Sequence, residues 1–222
     1  MSVIKAAIYG NSYVGIFGYA TDNFCLIGSG VPAKKAEAIS SALGVELIRT
    51  TVDSSQLVGI YTIANSKGVL LPKTIEEREY EDIRKKLSSI EVKIFDTDLN
   101  ALRNNILVND KIAIINPSYT KKEEKFIEDV LDVEVVKMSI GGFGTVGANN
   151  IMTNKGIVFN NRIGEEEKKK LEEIVGFDGE QSTANLGSLN IGLSTIANSN
   201  GLVVGEITTG HELARIANSL NL

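Results

Sequence analysis

With one cysteine, one histidine, three prolines and no tryptophan among 222 residues, the chain rules out several designs before any pattern is sought. A lone Cys excludes an intrachain disulfide framework and suits a reducing compartment. Few prolines and 43% hydrophobic residues leave no compositional case for disorder. No apolar run approaches the ~18 residues of a membrane span, and Val3 to Tyr9 is short and interrupted by Lys5, so no membrane segment or secretion signal is expected and the location is expected to be cytoplasmic. Positive charge is also scarce. Lys plus Arg number 23 against 28 Asp plus Glu, and the net −5 repels phosphate on average, which argues against free nucleic acid as a partner.

What is present is a repeat. Phe24, Gly68, Lys111, Gly156 and Gly201, spaced 44, 43, 45 and 45 residues apart, each stand in the same apolar pattern. One residue on come Cys25, Val69, Ile112, Ile157 and Leu202; five before stand Tyr19, Ile63, Ile106, Ile151 and Ile196; fifteen on come Ile39, Ile83, Phe126, Leu171 and Ile216. A unit this small cannot bury its own apolar face, so the copies must pack on one another as a single domain. The divisions fall near residues 1–51, 52–95, 96–140, 141–184 and 185–222.

The second copy predicts the unit. Gly59 to Ala64 and Val69 to Leu71, joined by Asn65-Ser66-Lys67-Gly68, read as a hairpin whose Asn and Gly tolerate positive φ. Ile75 to Leu87, with Thr74 as a possible cap, acids first and bases last, reads as a helix, and Ile90 to Phe95 as a half-buried strand. The other helices are expected near Ala33–Leu43, Lys121–Leu131, Glu165–Val175 and Glu212–Leu220. The last unit lacks a strand after its helix, and Val3 to Ile8 can supply it. That completion predicts a closed five-bladed α/β propeller with pseudo-fivefold symmetry and without two exposed edges. Phe177 to Asn185 is polar where a strand is due, so the fourth blade is expected to be loose or bulged.

Chemistry is sparse. Cys25 stands in an otherwise aliphatic column and His211 at a solvated helix start, which makes both structural rather than a nucleophile and its base. A guanidine-modifying hydrolase on the same propeller, using a Cys and a His, is the alternative. Gly142, Gly144 and Gly147 spell G-x-G-x-x-G, but Ala148 to Phe159 reads as a hairpin, and a phosphate cradle needs a helix there. Gly147 is moreover a repeat glycine with Gly15, Gly59 and Gly192; Leu102 is the exception. No metal-ligand spacing is present, so neither metal nor cofactor is expected and no residue is assigned a catalytic role. The units differ most at Asn104-Asn105 and Asn149-Asn150, which either recognise another chain's polar groups or merely set strand starts.

The whole chain resembles the translation initiation factor 6 family of archaea and eukaryotes, ribosome anti-association factors. The likeness rests on the fivefold period, Val58-Gly59, Ala64 to Pro72, Leu102 to Asp110, Asn116-Pro117 and Thr145-Val146-Gly147. Ending just after the fifth helix, it looks like an archaeal form. The resemblance implies a pentein propeller that binds the intersubunit face of the large ribosomal subunit as a monomer. There it would contact a ribosomal protein beside the sarcin-ricin loop, exclude the small subunit, and take part in large-subunit maturation. It implies a contact at Asn104, to which repeat position adds Asn105, Gly147 and Asn149. Ile60 stands where some relatives carry arginine, so no contact is carried over to it.

Overall fold

The computed structural model describes residues 2–222 and contains five three-stranded sheets of one pattern. They are β2 (Gly18–Ala20), β3 (Phe24–Gly28) and β4 (Glu46–Thr50); β5 (Ile63–Ala64), β6 (Gly68–Pro72) and β7 (Glu91–Phe95); β8 (Ile106–Val108), β9 (Ile112–Ile115) and β10 (Glu134–Lys137); β11 (Ile151–Met152), β12 (Ile157–Asn160) and β13 (Gly179–Ser182); and β14 (Thr195–Ala197), β15 (Gly201–Gly205) and β1 (Ser2–Ala6). In each, the first two strands are antiparallel and the third runs parallel to the second, reached in the first four through a long helix. The fifth sheet takes its third strand from the other end of the chain, as expected, but over Ser2 to Ala6, paired with Gly201 to Gly205, rather than Val3 to Ile8.

Five apolar cores lie between successive sheets. Ile63 and Leu70 of the second sheet meet Ala113 and Ile115 of the third across Ile127 of the helix Lys121–Leu131. Ile196 and Val203 of the fifth meet Cys25 and Ile27 of the first across Ile39 and Leu43 of the helix Ala33–Leu43. Each long helix thus wedges between its own sheet and the one before, burying a single stripe. The helices Ala33–Leu43, Lys121–Leu131 and Glu165–Val175 have the expected bounds; the other two are Glu77–Lys86, expected over Ile75 to Leu87, and Gly210–Ser219, expected over Glu212 to Leu220. Glu76 rather than Thr74 caps the second, because Glu79 three residues on completes a reciprocal capping box with it.

Four sequence expectations change. Gly59 to Ala64 is not one strand: Val58–Tyr61 forms a helical turn and pairing starts at Ile63. The same turn recurs at Val14–Ile16, Leu102–Asn105, Val146–Asn149 and Ile191–Ser194. Contacts between the turns override the strand propensity of four residues. Phe177 to Asn185 is not loose, since Gly179–Ser182 pairs regularly with β12. A Cβ on Gly179 would lie 2.5 Å from the Phe159 ring, so the small residue suits a crowded neighbour.

Neither Asn65 nor Gly68 adopts positive φ. The Asn65 carboxamide instead accepts from the Lys67 and Gly68 amides at 3.0 Å, and Gly68 is small because a Cβ would lie 2.1 Å from the Val130 carbonyl. The third unit's register also shifts by one. Asn109 accepts from Lys111 and Ile112 as Asn65 does from Lys67 and Gly68, and Ile112 pairs with Glu134 as Gly68 pairs with Glu91. Ile112, not Lys111, is the counterpart of Gly68. The slip went unnoticed because Ile112 to Ile115 is apolar at every position.

Candidate interaction face

The inner strands β2, β5, β8, β11 and β14 each run from a helical turn to a hairpin turn, and β2 touches both β14 and β5 while β8 touches both β5 and β11. All five helical turns therefore gather at one end of the molecule and all five hairpin turns at the other.

The hairpin end is polar and occupied with itself. Asn65 donates to the Asn109 carbonyl (3.3 Å), Asn109 to Thr153 (3.3 Å) and Asn198 to Thr21 (2.9 Å). Asp110 accepts from the Ser66 amide and Asp22 from the Ser199 amide, each at 2.7 Å, and the Asn154 side chain donates to both carboxylates. These bonds stitch the second turn to the third, the third to the fourth, and both the fourth and the fifth to the first.

The helical-turn end differs. Residues 12–17, 56–61, 100–105, 144–149 and 189–194 contain no charged residue except Arg103, which is 5% exposed. Ile16, Ile60, Asn104 and Leu193, equivalent by the corrected register, are half-buried at the turn apices, with Ala148 buried in the fifth place. Around them stand the loops that follow the outer strands. Tyr9 is 53% and Leu186 68% exposed, both in the left-handed region at φ 54° and 62°; in other loops of this rim Asp53, Asp96 and Asp98 are exposed, the last two paired with Lys73 at 3.6 and 2.7 Å. A centre without exposed charge within a rim of aromatic, aliphatic and charged groups is the composition of a protein-binding patch.

Of the four sequence-predicted contact residues, Asn104 stands on this face, half-exposed, with its side-chain oxygen turned inward and unpartnered. The others lie beneath it. Asn105 donates to the Ala101 carbonyl (3.0 Å) and accepts from Asn116 (2.8 Å). Asn149 accepts from the Thr145 hydroxyl (2.9 Å) and donates to Asn190 (3.1 Å). Gly147 is buried, and a Cβ there would meet the Arg103 carbonyl at 1.9 Å. Asn150 is fully buried and accepts from the Asn160 amide at 2.9 Å.

Sequence reasoning missed Arg103. The corrected register puts Arg103, not Leu102, in the column of Gly15, Gly59, Gly147 and Gly192. Those glycines carry no side chain because a Cβ would come within 1.9–2.4 Å of the preceding turn's carbonyl. Arg103 instead sends its guanidinium across the centre. Nη1 donates to Gly15 (2.9 Å) and Gly18 (3.0 Å), and Nη2 to Gly192 (2.6 Å) and Thr195 (2.9 Å). The guanidinium carbon lies 5.1 Å from the Tyr19 ring centre. Burial pulls the group down to about 10, so it stays charged at neutral pH. Matching Asn109 to Asn65 is the signal that exposes it.

A glutamate column was also missed. Glu79, Glu123, Glu167 and Glu212 each bind the rim loop ahead of their own unit. Glu212 accepts from Thr183 Oγ1 (2.7 Å), Gly187 N (2.8 Å) and Thr209 N (2.8 Å). Burial opposes its charge, but these donors outweigh burial and hold the carboxyl below its usual range. A lowered carboxyl contributes stability above its unfolded value, which is lost as pH falls through the folded one. Glu212→Gln is therefore expected to cost about 1–3 kcal/mol at pH 7 and to flatten the loss of stability below about pH 4.5. Urea unfolding at several pH values measures both.

Cys25 is fully buried, and burial pushes its thiol up to about 12, with Arg103 pulling the other way. His211 is exposed on the first turn of Gly210–Ser219. After Gly147 the chain forms only the end of a four-residue turn and then β11, not a phosphate-binding helix. Among the described residues no cluster of three metal-ligating side chains occurs and no helix is long and apolar enough to cross a membrane.

Residues 3–219 match the eIF-6 family. The chain is similar to translation initiation factor 6 of Pyrococcus abyssi, 36% identical with both chains fully covered. It is also similar to that of Thermococcus onnurineus, 35% identical over 99% of this chain and 98% of the relative, and to that of Saccharolobus islandicus, 33% identical over 99% of each. Likeness that runs end to end across five units, with the archaeal relatives bearing one name, places the protein: the chain belongs to the eIF-6 family of translation factors.

Proposed function

We propose that the helical-turn face docks on the intersubunit face of the large ribosomal subunit and that the body of the protein then blocks the small subunit sterically. The observation that carries this reading is the absence of exposed charge from the five turns in a chain that is 23% charged. A face without charge can be desolvated against a partner at little cost. The chain's net charge of −5 complements a basic ribosomal protein and speeds encounter, so the contact is with that protein rather than with the sarcin-ricin loop beside it. Asn104 makes the contact, while Asn105, Asn149 and Gly147 shape the surface under it. The same docking can serve large-subunit maturation, with a cytoplasmic monomer as the acting species.

Steric exclusion also requires a rigid body. We take the five sheets as blades of a closed propeller in one domain; the pairing of β1 with β15 and the contact of Ile191–Ser194 with Val14–Ile16 support closure. The rival reading, a guanidine-modifying hydrolase, is disfavoured by a neutral, buried Cys25 and by a centre already filled with the chain's own guanidinium. The cavity beside Arg103 holds about 50 Å³, too little for such a substrate.

Asn104→Asp places a charge on the uncharged face. It is expected to weaken binding to purified large subunits at least tenfold while the melting temperature stays within a few degrees. Co-sedimentation equal to that of the parent protein would remove Asn104 from the contact.

A further inference from the structure

We propose that Arg103 is the positioning residue of the docking face: it ties the turn that carries Asn104 to the two turns across the centre, so that the three move as one. The proposal rests on the reading of that face as the contact surface.

Four observations converge on it. Arg103 follows Leu102 and precedes Asn104 in the turn Leu102–Asn105. Its four bonds all go to main-chain carbonyls, two from the first unit and two from the fifth, so it anchors backbone to backbone across the molecule. It holds the place where four units have glycine, and five side chains could not share that centre. Its charge is balanced by carbonyl dipoles, since among the described residues it forms no ion pair with a carboxylate. Charge-assisted bonds of this kind are stronger than neutral ones and rigid in direction because the guanidinium is planar. Asn104 itself has an unpartnered side-chain oxygen, so nothing in its own side chain fixes its orientation. That falls to the residue before it.

The bridge also spans the first and fifth units, the pair joined through β1. Without the guanidinium, four carbonyls at the centre lose their donors and the three turns are free to shift relative to one another. The turns Val58–Tyr61 and Val146–Asn149 receive no bond from Arg103, and their close approaches to neighbouring turns are to backbone atoms rather than to the guanidinium.

The test uses two variants of the full chain. Arg103→Gly restores the residue that the equivalent positions carry, and Arg103→Lys keeps the charge but cannot reach four carbonyls at once. Amide hydrogen exchange is expected to rise at least tenfold in residues 14–18, 102–105 and 191–195 in both variants, with residues 58–61 and 146–149 near parent rates. Binding to purified large subunits is expected to fall at least fivefold in each. Combined with Asn104→Asp, Arg103→Gly is expected to lose less than the product of the single losses, because both act through one residue.

Exchange that is unchanged in both variants, or raised evenly over all five turns, would overturn the proposal, as would strictly multiplicative losses in the double variant. If Asn104→Asp alone left binding intact, the reading of the face would fail, and the exchange pattern would still decide whether Arg103 fixes the turn. Should the glycine variant not fold, the lysine variant carries the exchange and binding measurements.

Discussion

Deleting residues 2–9 is expected to abolish cooperative folding. The deletion removes the five-residue ladder between β1 and β15 and takes apolar groups out of two cores at once: Val3 from the core between the fourth and fifth sheets, and Ile4, Ala6 and Ile8 from the core between the fifth and first. Burial at about 25 cal/mol per Å2 makes Ile8 alone, fully buried, worth roughly 2–3 kcal/mol. With the others and the lost strand bonds, the deficit reaches about 5 kcal/mol or more, which matches the whole stability of many domains. The truncated protein should show no sharp thermal transition by circular dichroism. A sharp transition within a few degrees of the parent would mean that the fifth sheet does not need its third strand.

Gly147→Ala is expected to produce a large loss from a single methyl group. The added Cβ would sit 1.9 Å from the Arg103 carbonyl oxygen and 2.3 Å from that of Ile106. Both obstacles are backbone, so neither can rotate aside. Moving two packed turns apart should cost about 3 kcal/mol or more, a fall of roughly 10 °C for a chain of this length. Gly210→Ala is the matched comparison, because nothing lies within 4 Å of a Cβ there and the residue begins a helix. It should melt at or slightly above the parent temperature. Equal melting of the two variants would show that the turns do not pack as described.

The period and the apolar columns were readable because they are set by burial, which marks the sequence directly. Helix Ala33–Leu43 follows from such marks, as does an N-terminal strand, read at Val3 to Ile8 and found at Ser2–Ala6. The helical turns did not, because Val58–Tyr61 consists of residues suited to a strand and is bent by contacts with turns far away in sequence. Arg103 was missed for a related reason: a wholly apolar stretch, Ile112 to Ile115, carries no mark of its register, and a shift of one residue gave Leu102 the place that belongs to Arg103. Polar side chains with defined bonds, such as Asn65 and Asn109, fix register where aliphatic ones cannot. Candidate contact residues were readable as departures from the repeat, but departure alone does not separate Asn104 on the surface from Asn149 and Asn150 beneath it. That distinction depends on which way each turn faces.

Pairing the second residue with the two hundred and first imposes an order on synthesis. Ser2 to Ala6 leaves the translating machinery nearly two hundred residues ahead of its partner strand Gly201 to Gly205. For nearly the whole time of its making the nascent polypeptide carries an unmatched leading segment, and local hairpins and helices must form while that segment waits. A factor of protein synthesis can thus acquire its finished shape only once its own translation is essentially over.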